Sequence, residues 1–162
     1  MKKTLGLLLA ALLSGFVSTA QTTESYAGPA KVVYAEIGGP GHLSINYDMR
    51  LSNKKDGIGF RAGFGGWSVE NSRLIWIPLG LNYITSHNNR DYFEAGAGGT
   101  IVSNSKENPS KNPFQRPFGW ISLGYRKQPA EGGYFFKASL VPVFGSGFFV
   151  PYYAGVGVGF AF

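Results

Sequence analysis

Cysteine is absent from the 162 residues. No disulfide can staple the chain, no thiolate can ligate zinc or attack a substrate, and a lipid anchor on cysteine is excluded. Histidine occurs only as His42 and His87, too few for a histidine-built metal centre. Charge is also scarce: Asp, Glu, Lys and Arg make up 15% of the chain, against about a quarter in ordinary soluble domains. The net charge is +6, a modest excess, and the lysines are scattered among turns and loops. No basic block resembles a nucleic-acid arm. No helix-period apolar stripe follows the first residues. The run Gly96-Ala97-Gly98-Gly99 lacks the helix and lysine that a phosphate-binding loop requires.

Glycine and aromatic residues fill the space: 24 glycines, and 15% Phe, Trp and Tyr. Gly and Pro recur too often for long helices. Aromatic and β-branched runs bounded by Gly, Asn, Asp and Pro predict strands and turns. The N-terminus reads differently. Lys2 and Lys3 precede an apolar run from Leu5 to Val17, and Ser18-Thr19-Ala20 offers small residues before Gln21. This is the pattern of an export signal over 1–20, leaving one domain over 21–162.

Period-two reading gives eight candidate strands. They run from about Lys31 to Gly38, His42 to Leu51, Ile58 to Trp67, Leu74 to Ile84, Tyr92 to Ile101, Phe118 to Arg126, Tyr134 to Phe144 and Pro151 to Phe162. Most have the length, about 9–11 residues, with which a tilted strand crosses hydrocarbon. In the second, Leu43, Ile45, Tyr47, Met49 and Leu51 alternate with Ser44, Asn46, Asp48 and Arg50.

The charges within strands fall on the polar face: Glu36, Asp48, Arg50, Arg61, Glu94, Arg126 and Lys137. A water-exposed face carries several charges per strand. Here there are at most two, diluted by Gly, Ser, Asn and Thr, as in a crowded lumen. The apolar face then meets lipid, where a charge costs roughly 2–4 kcal/mol at the midplane. Three acids among four bases predict a network of paired charges that fills the lumen.

The connections alternate in character. Ser52 to Gly57, Thr85 to Asp91 and Gln128 to Gly133 are short and polar, as periplasmic turns are. Gly39 to Gly41, Ser68 to Arg73, Val102 to Arg116 and Gly145 to Phe149 are the expected outer loops. Phe60, Tyr83, Phe93, Tyr125, Tyr134, Phe136, Phe160 and Phe162 then gather at the periplasmic strand ends as an aromatic girdle.

With this pattern the chain resembles small outer-membrane barrels of the OmpA/OmpX kind over roughly Lys31 to Phe162. The sharpest feature is the last strand, with Gly157, Phe160 and a terminal Phe162. Gly155 departs from the pattern, which usually has a polar residue there. The resemblance implies an all-β, closed, antiparallel, up-and-down eight-stranded barrel in the outer membrane. It also implies that Gly157, Phe160 and Phe162 form the signal read by the barrel-assembly machinery.

Closure with eight strands leaves a lumen that side chains fill, which disfavours a diffusion pore. The expected role is non-enzymatic: structural, adhesive or surface-recognising, with no cofactor, no metal and no nucleic-acid partner. A narrow ion channel is one alternative. Another is a lipid-modifying enzyme, since His42 and Ser44 stand two apart with Glu36 on the neighbouring strand. That pair resembles the His-x-Ser of lipid A deacylases, although it lies in a different strand. His87 reads as part of a solvated turn. Phe148-Phe149 reads as a membrane-interface anchor. In the loop Val102 to Arg116, Lys106, Lys111 and Arg116 outweigh Glu107, which suits anionic lipopolysaccharide or a surface partner.

Overall fold

Each strand places large apolar residues on one side and small, polar or charged ones on the other, and the sheet closes so that the second set is enclosed. The computed structural model describes residues 28–69, 72–86, 88–104 and 112–162. The expected export signal, His87, and Lys106, Glu107 and Lys111 of the long loop lie outside these residues.

The chain forms β1 (Lys31–Gly38), β2 (Leu43–Arg50), β3 (Gly57–Val69), β4 (Ser72–Ser86), β5 (Asp91–Asn104), β6 (Phe118–Lys127), β7 (Gly133–Leu140), β8 (Val143–Gly145), β9 (Phe148–Val150) and β10 (Ala154–Ala161). Two short 3-10 turns occur, Gly39–Gly41 and Pro113–Gln115. Each strand pairs antiparallel with its sequence neighbour from β1 to β7; β7 pairs with β10, and β10 with β1. The result is the expected closed eight-stranded barrel. Its seam pairs Val32 with Ala161 and Gly38 with Gly155.

Two differences from the sequence reading have one cause. The expected strand from Tyr134 to Phe144 is interrupted at Val141-Pro142, and that from Pro151 to Phe162 begins only at Ala154. Proline has no N–H to give to a ladder. Pro142 stands opposite the two residues Pro151 and Tyr152, a bulge that shifts the β7–β10 register by one before β8 and β9 resume pairing. The amide of Val141 donates to the Tyr153 carbonyl across it (2.6 Å). The bulge turns Tyr152 outward, 93% exposed.

The strands β3, β4 and β5 are longer than expected. Outward charges lie at the rims: Arg73 on β4, Asp91 on β5, Lys127 on β6 and Lys31 on β1, the last within an expected strand and on the same face as Val33. Between the rims the outward face is apolar: Ile45, Leu79, Leu81, Ile101, Ile121, Leu123, Val156 and Val158 are all exposed. The expected girdle lies at the short-turn rim, with the Tyr134 and Phe160 rings 4.9 Å apart. The sequence reading missed a second girdle at the opposite rim, where Phe64, Phe144, Phe149 and Tyr152 are exposed. An apolar band between two aromatic rings is the outer surface of a membrane barrel.

Glycine sits opposite the bulky inward side chains. Gly157 pairs in register with both Glu36 and Lys137, Gly80 with Arg61, Gly59 with Arg50, and Gly98 with Trp120. A Cβ at Gly80 or Gly98 would stand 2.5 Å from the Trp120 ring. The glycine content therefore reflects the width of the lumen.

Candidate functional site

Three groups of side chains fill the lumen. Toward the short-turn end, Val32, Tyr34, Phe135 and Ala161 form a buried apolar cluster. An ionic layer is interleaved with it, Val32 pairing in register with Asp48. At the loop end, Trp76, Phe118, Trp120, Val141 and Val143 form a second apolar cluster, with Phe114, Phe148 and Tyr153 packed against it.

The ionic layer contains all of Glu36, Asp48, Arg50, Arg61, Glu94, Arg126 and Lys137, each no more than 2% exposed. Alternation on β1, β2, β3, β5, β6 and β7 aims each of them inward. Asp48 accepts from Arg50 (2.6 Å) and Arg126 (2.9 Å). Arg126 also reaches Glu94 (3.1 Å), and Glu94 pairs with Lys137. These five form one chain across the barrel. The remaining two, Arg61 and Glu36, form a separate pair.

Neutral groups complete the layer. Asn82 bridges Arg50 and Asp48, and Asn46 accepts from Arg61 (2.9 Å). Gln128 accepts from Arg126 Nε (2.9 Å), and Arg50 also donates to the Gly57 carbonyl (2.8 Å). Cations also lie over rings: Arg126 is 4.9 Å from the centre of Phe135, and Arg61 is 5.4 Å from that of Tyr34. Sequence reasoning named the seven ionisable groups. It did not assign roles to Asn46 and Asn82, whose signal is only that they share the charged face, or to Gln128, expected in a short polar turn and instead buried.

The loop Gly39–Gly41, expected as an outer loop, instead folds into the mouth of the barrel. All three of its residues are buried, and the Pro40 carbonyl accepts from Thr100 on the far wall (2.9 Å). Gly38 and Gly39, at φ +75° and +64°, make the inward turn possible. His42 follows at φ +57°, a conformation uncommon for a residue with a Cβ. It is held there by the Gly38 amide, which donates to its carbonyl (2.6 Å), and by its ring, whose Nδ1 lies 2.6 Å from the Tyr153 hydroxyl. The ring packs on Trp76 and Phe114, with centroids 4.7 and 4.4 Å away. Burial lowers its pKa from 6.5 to about 4.

His42, Ser44 and Glu36 are therefore not assembled as a catalytic set. Ser44 Oγ accepts from Asn46 (3.0 Å), His42 bonds Tyr153 and Glu36 bonds Arg61. Among the described residues, no cluster of three or more His, Asp or Glu could hold a metal ion. Gly157 lines the lumen beside Tyr34, and the Phe160 ring packs at a tilt against Tyr134. The backbone of Phe162 exchanges hydrogen bonds with Lys31 at the seam (2.9 and 3.1 Å).

The N-terminal β-barrel domain of Pseudomonas aeruginosa OprF aligns with this chain at a TM-score of 0.52 and 17% identity, over 86% of this chain and 100% of that one. The fold is that of an outer-membrane β-barrel. A de novo designed transmembrane β-barrel aligns at a TM-score of 0.40 and 12% identity, over 86% of this chain and 98% of that one. No family model matches the chain, and no curated protein does.

Proposed function

We propose that this chain is a non-conducting, non-enzymatic protein of the bacterial outer membrane, with a structural or surface-recognition role exercised by its wall and loop rim. The observation that carries this reading is the filled lumen. A conducting path needs continuous polar width, whereas here a paired ionic network interleaved with one apolar cluster and capped at the loop end by another fills the interior. Eight strands leave an interior just wide enough for side chains to fill. The apolar band between aromatic girdles supports insertion in lipid, with the loop rim outward. Barrel-assembly machinery is the expected partner during insertion, through Gly157, Phe160 and Phe162, and outer-membrane lipid the permanent one.

Cell fractionation followed by gels of heated and unheated samples tests location and fold together. The expected result is recovery with the outer membrane and heat-modifiable migration; a soluble monomer that needs no detergent refutes the reading. Planar-bilayer recording tests the lumen. No unitary conductance is expected, and steady, reproducible channel steps would transfer the assignment to an ion channel.

A further inference from the structure

The inward loop Gly39–Gly41 is fastened across the mouth at two points. The Thr100 hydroxyl donates to the Pro40 carbonyl (2.9 Å), and the next residue, His42, seats its ring in an aromatic cup. Separate parts of the chain build that cup: Trp76 on β4, Phe114 in the β5–β6 connection, Phe118 on β6 and Tyr153 beside the bulge, with ring centroids 4.7, 4.4, 6.5 and 5.5 Å from that of His42. The backbone is strained at this point. His42 has φ +57° and ψ −75°, close to a γ conformation that a residue with a Cβ rarely adopts. Such a conformation persists only while its surroundings hold it.

We propose that Gly39–Gly41 is an acid-released plug: protonation of His42 frees its ring from the cup, and the loop withdraws from the mouth. The cup fits a neutral imidazole. Nδ1 lies 2.6 Å from the Tyr153 hydroxyl, whereas Nε2 is buried with no hydrogen-bond partner among the described residues. A cationic imidazole donates from both nitrogens. Its Nε2–H finds no acceptor in the cup, and burying an unpaired charge is costly.

The charged groups on the surrounding elements do not offset that cost. Trp76, Phe114 and Phe118 carry no charge, and Tyr153 offers a neutral hydroxyl. The Glu36 carboxylate on β1 lies under Gly39 and is bound to Arg61. Asp48 and Arg50, further along β2, are paired with each other. Arg73 on β4 and Arg116 beside the Pro113–Gln115 turn are exposed cations, and Arg126 and Lys127 stand at the far end of β6. In the closed mouth burial lowers the pKa of the ring from 6.5 to about 4. A released ring regains the ordinary value and binds more protons, so release is favoured as pH falls from 6.5 through 4 and gains nothing further below. The ionic layer beneath stays paired, so withdrawal uncovers a blind vestibule and not a channel.

Hydrogen exchange on the full chain in detergent micelles, read by mass spectrometry, tests this. Protection of the segment 38–43 is compared at pH 7 and pH 5, each corrected for the intrinsic exchange rate. The wild-type segment is expected to lose protection roughly twentyfold, while the β5–β6 amides stay protected and migration stays heat-modifiable. His42→Phe keeps an apolar ring without a titrating nitrogen, and its protection should not change with pH. A wild-type segment unprotected at pH 7, or equally protected at both, overturns the proposal. So does an equal loss in His42→Phe, or a loss shared by β5–β6. If His42→Phe does not fold, NMR titration of the wild-type ring decides, assigned against His87→Gln: a midpoint well below 6.5 in the folded barrel supports the plug, and one at 6.5 refutes it. The inference holds whichever rim faces outward, so its failure leaves the outer-membrane reading untouched.

Discussion

Asp48 shows how strongly the ionic layer depends on single residues. It is fully buried and accepts from two guanidinium groups, those of Arg50 and Arg126, as well as from Asn82. Asp48→Asn keeps the shape and removes the charge that neutralises them. Breaking a buried ion pair from one side costs roughly 3–5 kcal/mol, because the partner charge stays buried. Urea unfolding in detergent micelles, followed by tryptophan fluorescence, should register a loss of that order. A loss under about 1 kcal/mol would mean that the layer tolerates unpaired charge.

His42 gives a prediction of opposite chemistry. Its ring is favoured neutral by burial, with its pKa lowered from 6.5 to about 4. The unfolded chain therefore binds more protons than the folded one below pH 6.5, and stability falls as pH drops from about 6.5 through 4. Below that interval this residue adds no further slope. His42→Phe should flatten the pH dependence of the unfolding midpoint across that window; an unchanged slope would show that His42 is not its source.

At the scale of elements, the strand alternation was legible because a lipid-facing wall enforces it at nearly every position. Seven ionisable residues could be placed in the lumen from phase alone. What could not be read is how they pair. Asp48 and Arg61 face each other in register, yet Arg61 bonds Glu36 while Asp48 bonds Arg126 on the far side of the barrel. Such contacts depend on barrel curvature, which period-two reading does not contain. The inward turn Gly39–Gly41 was missed for a related reason. A glycine-proline-glycine run signals a turn but not the side to which it turns. The interruption at Pro142 and Pro151 was legible in principle, since each proline removes a ladder donor.

The last element, β10, closes the barrel against β1. Phe162→Ala leaves the backbone hydrogen bonds to Lys31 in place and removes only an aromatic ring, half-exposed at the rim. If that ring is part of the assembly signal, insertion catalysed by the assembly machinery should slow several-fold while the urea midpoint of the finished barrel barely moves. Equal losses in rate and stability would assign Phe162 to the girdle alone. Following the heat-modifiable fraction over time separates the two.

At the scale of the whole molecule, the pairing of β1 with β10 closes the ring. Val32 meets Ala161, so the contact that completes the ring joins positions nearly the whole described length apart. Every earlier hairpin leaves two open ladder edges, which in water invite aggregation. No partial set of staves is edge-free, and the cost of bringing distant segments together must be met before the ring rewards it. Until β10 reaches β1, every partly paired intermediate therefore carries the exposed edges that the finished ring lacks.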